Sequence, residues 1–193
     1  MRKLPEDLEG PVDNIVYKLV EYITPTLHKL GFTPNILTSF GNISTIIFAY
    51  LMFNNKFKLA AIFFLFAYIF DCLDGYMARS FNMVTKYGDW YDHISDLLRI
   101  IIYFYVLIKI NKRMGIMALI LLSIFIFLSS VYLCHQEIYY NKPNDSNSLN
   151  MLNTLNFGAN KYNIVHYLNK TKYFGCGTTY LLMVLIVFFY KKT

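Results

Sequence analysis

Between Asp71 and Asp96 the chain reads DCLDGYMARSFNMVTKYGDWYDHISD, a run of carboxylates set into sequence that otherwise belongs in a membrane. Leu59 to Phe70 upstream and Ile100 to Ile108 downstream carry no charge. A charge at mid-bilayer costs about 2.5 to 3.5 kcal/mol on insertion scales. The acids must therefore either sit at a rim, snorkelling or sharing protons, or be neutralised where they are. Their spacing favours the second reading. Asp71, Asp74, Gly75 and Ala78 fall at i, i+3, i+4 and i+7 and share one helix face, as do Gly88, Asp92 and Asp96. With the turn at Ser80 to Tyr87, a rise of about 1.5 Å per residue sets Asp71 roughly 12 Å from Arg79, and Asp96 as far from Gly88. An antiparallel hairpin thus brings Asp71 level with Asp96 and Asp74 level with Asp92. A rim position needs neither this spacing nor the small residues beside it.

Arg79 and Lys86 are too few to balance these acids and lie at the turn, whereas two divalent cations match four carboxylates. Hard oxygen ligands select magnesium, manganese or calcium over zinc. Gly75, Ala78 and Gly88 leave room beside the acids, where a diphosphate can complete the metal shells.

The order D-x-x-D-G-x-x-A-R, eight residues, G-x-x-x-D-x-x-x-D resembles the signature of the CDP-alcohol phosphotransferases at Asp71, Asp74, Gly75, Ala78, Arg79, Gly88, Asp92 and Asp96. The resemblance implies an integral membrane enzyme, usually a homodimer, that moves a phosphoalcohol from a CDP-linked donor to a hydroxyl acceptor and releases CMP. By position, it implies that Asp71, Asp74, Asp92 and Asp96 bind two divalent cations, Mg2+ or Mn2+, and that Asp96 is also the catalytic base. It further implies that Gly75, Ala78 and Gly88 admit the cytidine and that Arg79 reaches its phosphates. Two versions of the reaction share these parts. In one, CDP-diacylglycerol donates a phosphatidyl group to a small polar alcohol such as inositol, glycerol phosphate or serine. In the other, CDP-choline or CDP-ethanolamine donates to diacylglycerol. The chain's length favours the first, and the Asp92-His93 pair looks more like the second. An aspartate-rich prenyltransferase would need acidic motifs on well-separated helices, and a non-enzymatic channel or scaffold has no need of Ala78 and Arg79.

The remaining sequence frames this motif. Of 193 residues 56% are hydrophobic, the length of one domain. The net charge of +6 is scattered between apolar spans, which fits attraction to anionic lipid and substrate rather than to nucleic acid. Cys72, Cys134 and Cys176 lack the spacing of a disulfide framework or a zinc site. The expected fold is an all-α integral membrane bundle of five to six transmembrane helices behind an N-terminal amphipathic helix, divided into a juxtamembrane segment, 1–32, and a membrane-embedded domain, 33–193.

In the first segment, Val12, Ile15, Val16, Leu19 and Ile23 form a stripe opposite Asp13, Asn14, Lys18 and Glu21. This predicts a helix on the cytoplasmic face, laid on the membrane surface or on the protein's own core, until Pro25 interrupts it. Thr33 and Pro34 predict a helix start. Spans follow at 35–53, 57–79, 88–110 and 116–138, with Trp90 and Tyr91 in an interfacial belt. The tract 141–172 reads as polar and irregular, and the last apolar run, 173–190, is barely long enough to cross. The resemblance therefore covers Thr33 to Tyr140 well and the remainder poorly. Cys134, His135 and Glu137 do not converge on one face and read as a satisfied polar helix end. Asp89 reads as a helix N-terminal acid, while His93 is a candidate to bond a substrate hydroxyl or phosphate. Lys and Arg show too little bias to orient the chain. The motif turn is placed on the cytoplasmic side because CDP-linked donors and CMP are cytosolic.

Overall fold

The structure is a computed structural model that describes residues 2–140 and 155–190. It is all-α, with no strand among the described residues. Local chemistry sets most helix ends. Thr33 accepts from the Ile36 amide and Pro34 follows, which starts α2 (Pro34–Phe53) as expected. α3 (Phe57–Ser80) runs into the motif. Thr85 accepts from the Gly88 amide at 3.0 Å and starts α4 (Lys86–Ile110), so only residues 81–85 form the turn, a shorter link than expected. Asn55 and Asn82, at φ 59° and 54°, supply the left-handed residue in the two tight links. α5 (Lys112–Tyr140) follows almost at once, with the Met114 amide donating to the Asn111 side chain at 3.1 Å. A Cβ on Gly115 would stand 2.6 Å from the Ile108 backbone, so glycine is what lets α4 and α5 meet there.

Helices α2, α3, α4, α5 and α7 (Cys176–Phe188) pack side by side, and their interior is divided along its length. Away from the motif it is apolar: Phe48, Met52, Phe64, Tyr103, Leu107, Leu122, Met183 and Val187 are buried in one cluster. The rings of Phe48, Phe64 and Tyr103 lie 4.8 to 5.8 Å apart, and the Tyr103 hydroxyl donates to the Met183 carbonyl at 2.9 Å. Outward, Ile43, Ile46, Ile101, Ile120 and Ile124 are exposed, the inverse of a water-soluble protein. α2, α5 and the stretch 164–188 are long and apolar enough to cross a membrane. α3 and α4, of 24 and 25 residues, are as long and carry the charged motif. The chain is thus an all-α membrane protein whose apolar half holds together a polar half.

Four sequence expectations change. Pro25 does not end α1 (Pro11–Lys29). Its ring is exposed, while Val16, Tyr17, Val20, Ile23 and Leu27 pack with Tyr68, Leu73 and Met77 of α3 and hold the helix straight through. The stripe is also rotated: Asp13 is buried, and Ile15, Leu19 and Tyr22 are exposed. α1 therefore lies on the protein's own core with a second apolar edge facing out. Downstream, the tract expected to be irregular forms α6 (Ile164–Thr171), whose Ile164 and Leu168 are buried with Tyr132, Leu4 and Leu8. A 3-10 turn at Lys172–Phe174 leads into α7, so the last apolar segment begins earlier than 173 and breaks at Gly175. Residues 141–154 of that tract lie outside the described residues.

Buried acids of the N-terminal segment join it to the C-terminal helices. Asp13 Oδ1 accepts from the Tyr68 hydroxyl at 2.6 Å and the Gly177 amide at 2.9 Å, capping α7 from a distant part of the chain. Gly10, Gly175 and Gly177 clear the space, since a Cβ on any of them would stand 2.5 to 2.9 Å from the Asp13 carboxylate. Glu9 accepts from the Tyr132 hydroxyl at 3.1 Å and the Gln136 amide at 3.0 Å, and Lys3 pairs with Glu137. Burial, with Asp13 nearby, pushes the Glu9 carboxyl up from 4.5 to about 7. Because the folded value is the higher one, the native state binds the extra proton, and stability falls as pH rises from about 4.5 through about 7. Glu9→Gln is therefore expected to raise the unfolding temperature at pH 8, by the equivalent of about 3 kcal/mol at most, and to make little difference at pH 5. Thermal unfolding in detergent at both pH values checks this, and an equal effect at both would refute it.

Candidate active site

The hairpin of α3 and α4 puts carboxylate oxygens of Asp71, Asp92 and Asp96 within 4.8 Å of one another. Their side chains are 23%, 32% and 41% exposed, so all three remain open to a ligand. Asp92 Oδ1 is buried and has no hydrogen-bond partner among the described residues. Asp74, beside Asp71 and Asp92, is 3% exposed, and its Oδ2 accepts from Thr38 of α2 at 2.6 Å. Of the four acids expected to act together, three form this group, and one oxygen of the fourth bonds Thr38 of α2.

The small residues of the motif have identifiable neighbours. A Cβ on Gly75 would stand 3.1 Å from Arg79 Nη1, so the glycine lets the guanidinium fold back along α3. One on Gly88 would stand 3.1 Å from Asn35 Oδ1, at the start of α2. Ala78 is half-buried. His93 Nδ1 lies 2.8 Å from the Asp89 carbonyl in its own helix and 4.0 Å from Asp92 Oδ2.

The counter-charge that sequence reasoning missed is Arg99. Its side chain is fully buried, and Nη1 donates to Asp96 Oδ1 at 2.7 Å, Asp71 Oδ1 at 3.0 Å and the Tyr180 hydroxyl of α7 at 3.2 Å. It reduces the formal charge of the four motif acids from minus four to minus three. The signal lay in plain view: Arg99 stands three residues after Asp96, immediately before the charge-free run that begins at Ile100. α2 contributes a polar seam beside it. Asn42 donates to Ser95 Oγ at 2.9 Å, and Ser39 and Tyr91 hydroxyls lie 3.0 Å apart. Gly41 admits the arginine, since a Cβ there would stand 3.2 Å from Nη2. Tyr180 is held in turn by stacking on Tyr68, with ring centroids 4.8 Å apart.

The donor set suits a hard divalent cation. The group of three is made of carboxylates alone, and the buried Asp92 Oδ1, without a hydrogen-bond partner among the described residues, is an acceptor that such a cation would satisfy. The Cys134 group shows no such convergence. His135 bonds Thr171 and the Asn156 carbonyl, and Glu137 pairs with Lys3.

Comparison with known proteins shows the family. A family model described as CDP-alcohol phosphatidyltransferase matches residues 32–192. The chain belongs to this family. The match runs through α6 and α7, past the Tyr140 limit expected from the motif region, and those helices pack into the bundle. Among curated relatives of this CDP-alcohol phosphatidyltransferase family member, the archaetidylinositol phosphate synthase of Pyrococcus horikoshii is 37% identical over 79 residues, 41% of this chain and 42% of that protein. The CDP-diacylglycerol-glycerol-3-phosphate 3-phosphatidyltransferase of Rickettsia felis is 49% identical over 43 residues, 22% of this chain and 24% of that protein. The corresponding enzyme of Rickettsia typhi is 49% identical over 41 residues, 21% of this chain and 23% of that protein. The alignments thus span less than half the length of these relatives. No solved structure matches the chain.

Proposed function

We propose that this protein transfers a phosphatidyl group from CDP-diacylglycerol to a small polar alcohol and releases CMP. The observation that carries the reading is the convergence of Asp71, Asp92 and Asp96, with an unpartnered oxygen on Asp92, inside a chain of this family. Those three residues, with Asp74 behind them, hold divalent cations, Mg2+ or Mn2+. Bound there, the cations supply positive charge against the donor's diphosphate and the departing CMP. Arg79, folded along Gly75 at the mouth of the motif, reaches the donor phosphates, and Gly75, Ala78 and Gly88 keep the wall beside them low enough for the cytidine. Asp96 Oδ1 is engaged by Arg99, so Oδ2 accepts the proton of the attacking hydroxyl. The acceptor oxygen forms its bond to phosphorus as the bond to the CMP oxygen breaks. The site opens to the cytoplasm, where CDP-linked donors are made and CMP is recovered.

The named relatives support CDP-diacylglycerol as donor and a polar acceptor, glycerol 3-phosphate in the Rickettsia enzymes. Purified protein in detergent, offered CDP-diacylglycerol with glycerol 3-phosphate, inositol phosphate, inositol or serine in turn, is expected to release CMP with one of them. EDTA should abolish the release, and magnesium or manganese should restore it. CMP release from CDP-choline with diacylglycerol instead would replace this donor, and full turnover without metal would defeat the reading.

A further inference from the structure

We propose that Arg99 is a resident counter-ion that holds Asp71 and Asp96 together in the metal-free protein and thereby limits how tightly the acidic cluster takes a divalent cation. This rests on the reading that the cluster binds such a cation. Arginine does not lose its proton in proteins, so the charge is permanent, and its side chain is fully buried between four helices. Nη1 has two hydrogens and faces three oxygens, whereas Nε and Nη2 are buried with no hydrogen-bond partner among the described residues. The guanidinium is therefore placed for the two carboxylates and Tyr180 at the expense of its other donors. A buried charge in that situation is kept by ion pairing, and removal of either side leaves the other uncompensated. The bridge also leaves one oxygen of Asp71, one of Asp96 and both of Asp92 for a ligand. Arg99 thus positions the carboxylates without blocking them. Because it shares two of the three carboxylates, its charge opposes any cation that binds there.

The test compares Arg99→Met, which removes the charge, with Arg99→Lys, which keeps the charge and loses the planar fork. Mn2+ affinity of the purified full chain is measured by equilibrium titration, and thermal unfolding is followed in EDTA and in excess Mn2+. Arg99→Met is expected to bind Mn2+ about tenfold more tightly or better than the unaltered protein. It should also unfold at a lower temperature in EDTA and gain more from added Mn2+. Arg99→Lys should fall between the two in both measurements. A purely structural role would lower stability in EDTA and in Mn2+ alike and leave affinity unchanged or weakened; that result in both variants overturns the inference. If Arg99→Met does not fold, Arg99→Lys decides: Mn2+ affinity above that of the unaltered protein supports the proposal, and affinity at or below it overturns it. An unaltered protein that binds no Mn2+ overturns both this inference and the reading beneath it, whereas binding with unchanged variants overturns this inference alone.

Discussion

Asp96→Asn is expected to lower CMP release by about 10²-fold or more while weakening CDP-linked donor binding, in the presence of metal, less than it weakens turnover. Asparagine keeps the shape and an acceptor oxygen and removes the proton acceptor. Among the three converging acids the Asp96 side chain is the most exposed, at 41%. Asp71→Asn serves as the control. Both residues accept from Arg99 Nη1, so both variants disturb the same bridge, and a difference between them cannot come from that loss. Asp71→Asn is expected to damage donor binding and turnover together, because an amide oxygen is a weaker ligand to a hard dication. Nucleotide affinity and CMP release measured for both variants decide the assignment. Equal loss of donor binding would make Asp96 a metal ligand only. The base would then be sought elsewhere, first at His93, through the ring nitrogen not turned to the Asp89 carbonyl.

The second large effect concerns stability. Asp13→Ala removes the acceptor shared by the Tyr68 hydroxyl and the Gly177 amide and leaves a hole lined by Gly10, Gly175 and Gly177. Unsatisfied buried donors and a lost helix cap together cost about 3 kcal/mol, a fall of roughly 10 °C in unfolding temperature for a chain of this size. Asp13→Asn keeps an acceptor oxygen in place and relieves the ionisation that burial opposes, burial having pushed the Asp13 carboxyl up. It is expected to stay near the parent protein. Thermal unfolding of the two variants in the same detergent distinguishes a hydrogen-bonding role from an electrostatic one. Parallel losses would show that the charge itself holds α1 to α7.

The level of Asp71 with Asp96 follows from spacing along two helices joined by a short turn, and their shared bond to Arg99 Nη1 shows it directly. Such a relation is local: it depends on helical rise and on where Thr85 restarts the helix, both written in the adjacent residues. The family signature is equally local, as its eight positions lie within one hairpin. Asp74 is different. Its partner, Thr38, lies 36 residues away on α2, and the spacing that groups it with Asp71 says nothing about which neighbour it meets.

Determined by the sequence alone were the motif hairpin, the apolar spans on either side of it, the cap that opens α2 and the level pairing of Asp71 with Asp96. Each is a property of residues within a few turns of one another, where helix geometry leaves little freedom. Only the tertiary structure decided that Arg99 bridges two helices and meets Tyr180, 81 residues onward, and that Asp13 turns inward. Helical periodicity put Asp13 on the solvent face, because an acid enters a core only where donors await it. Those donors are Tyr68 and an amide of α7, 164 residues away, beside glycines that leave the carboxylate room.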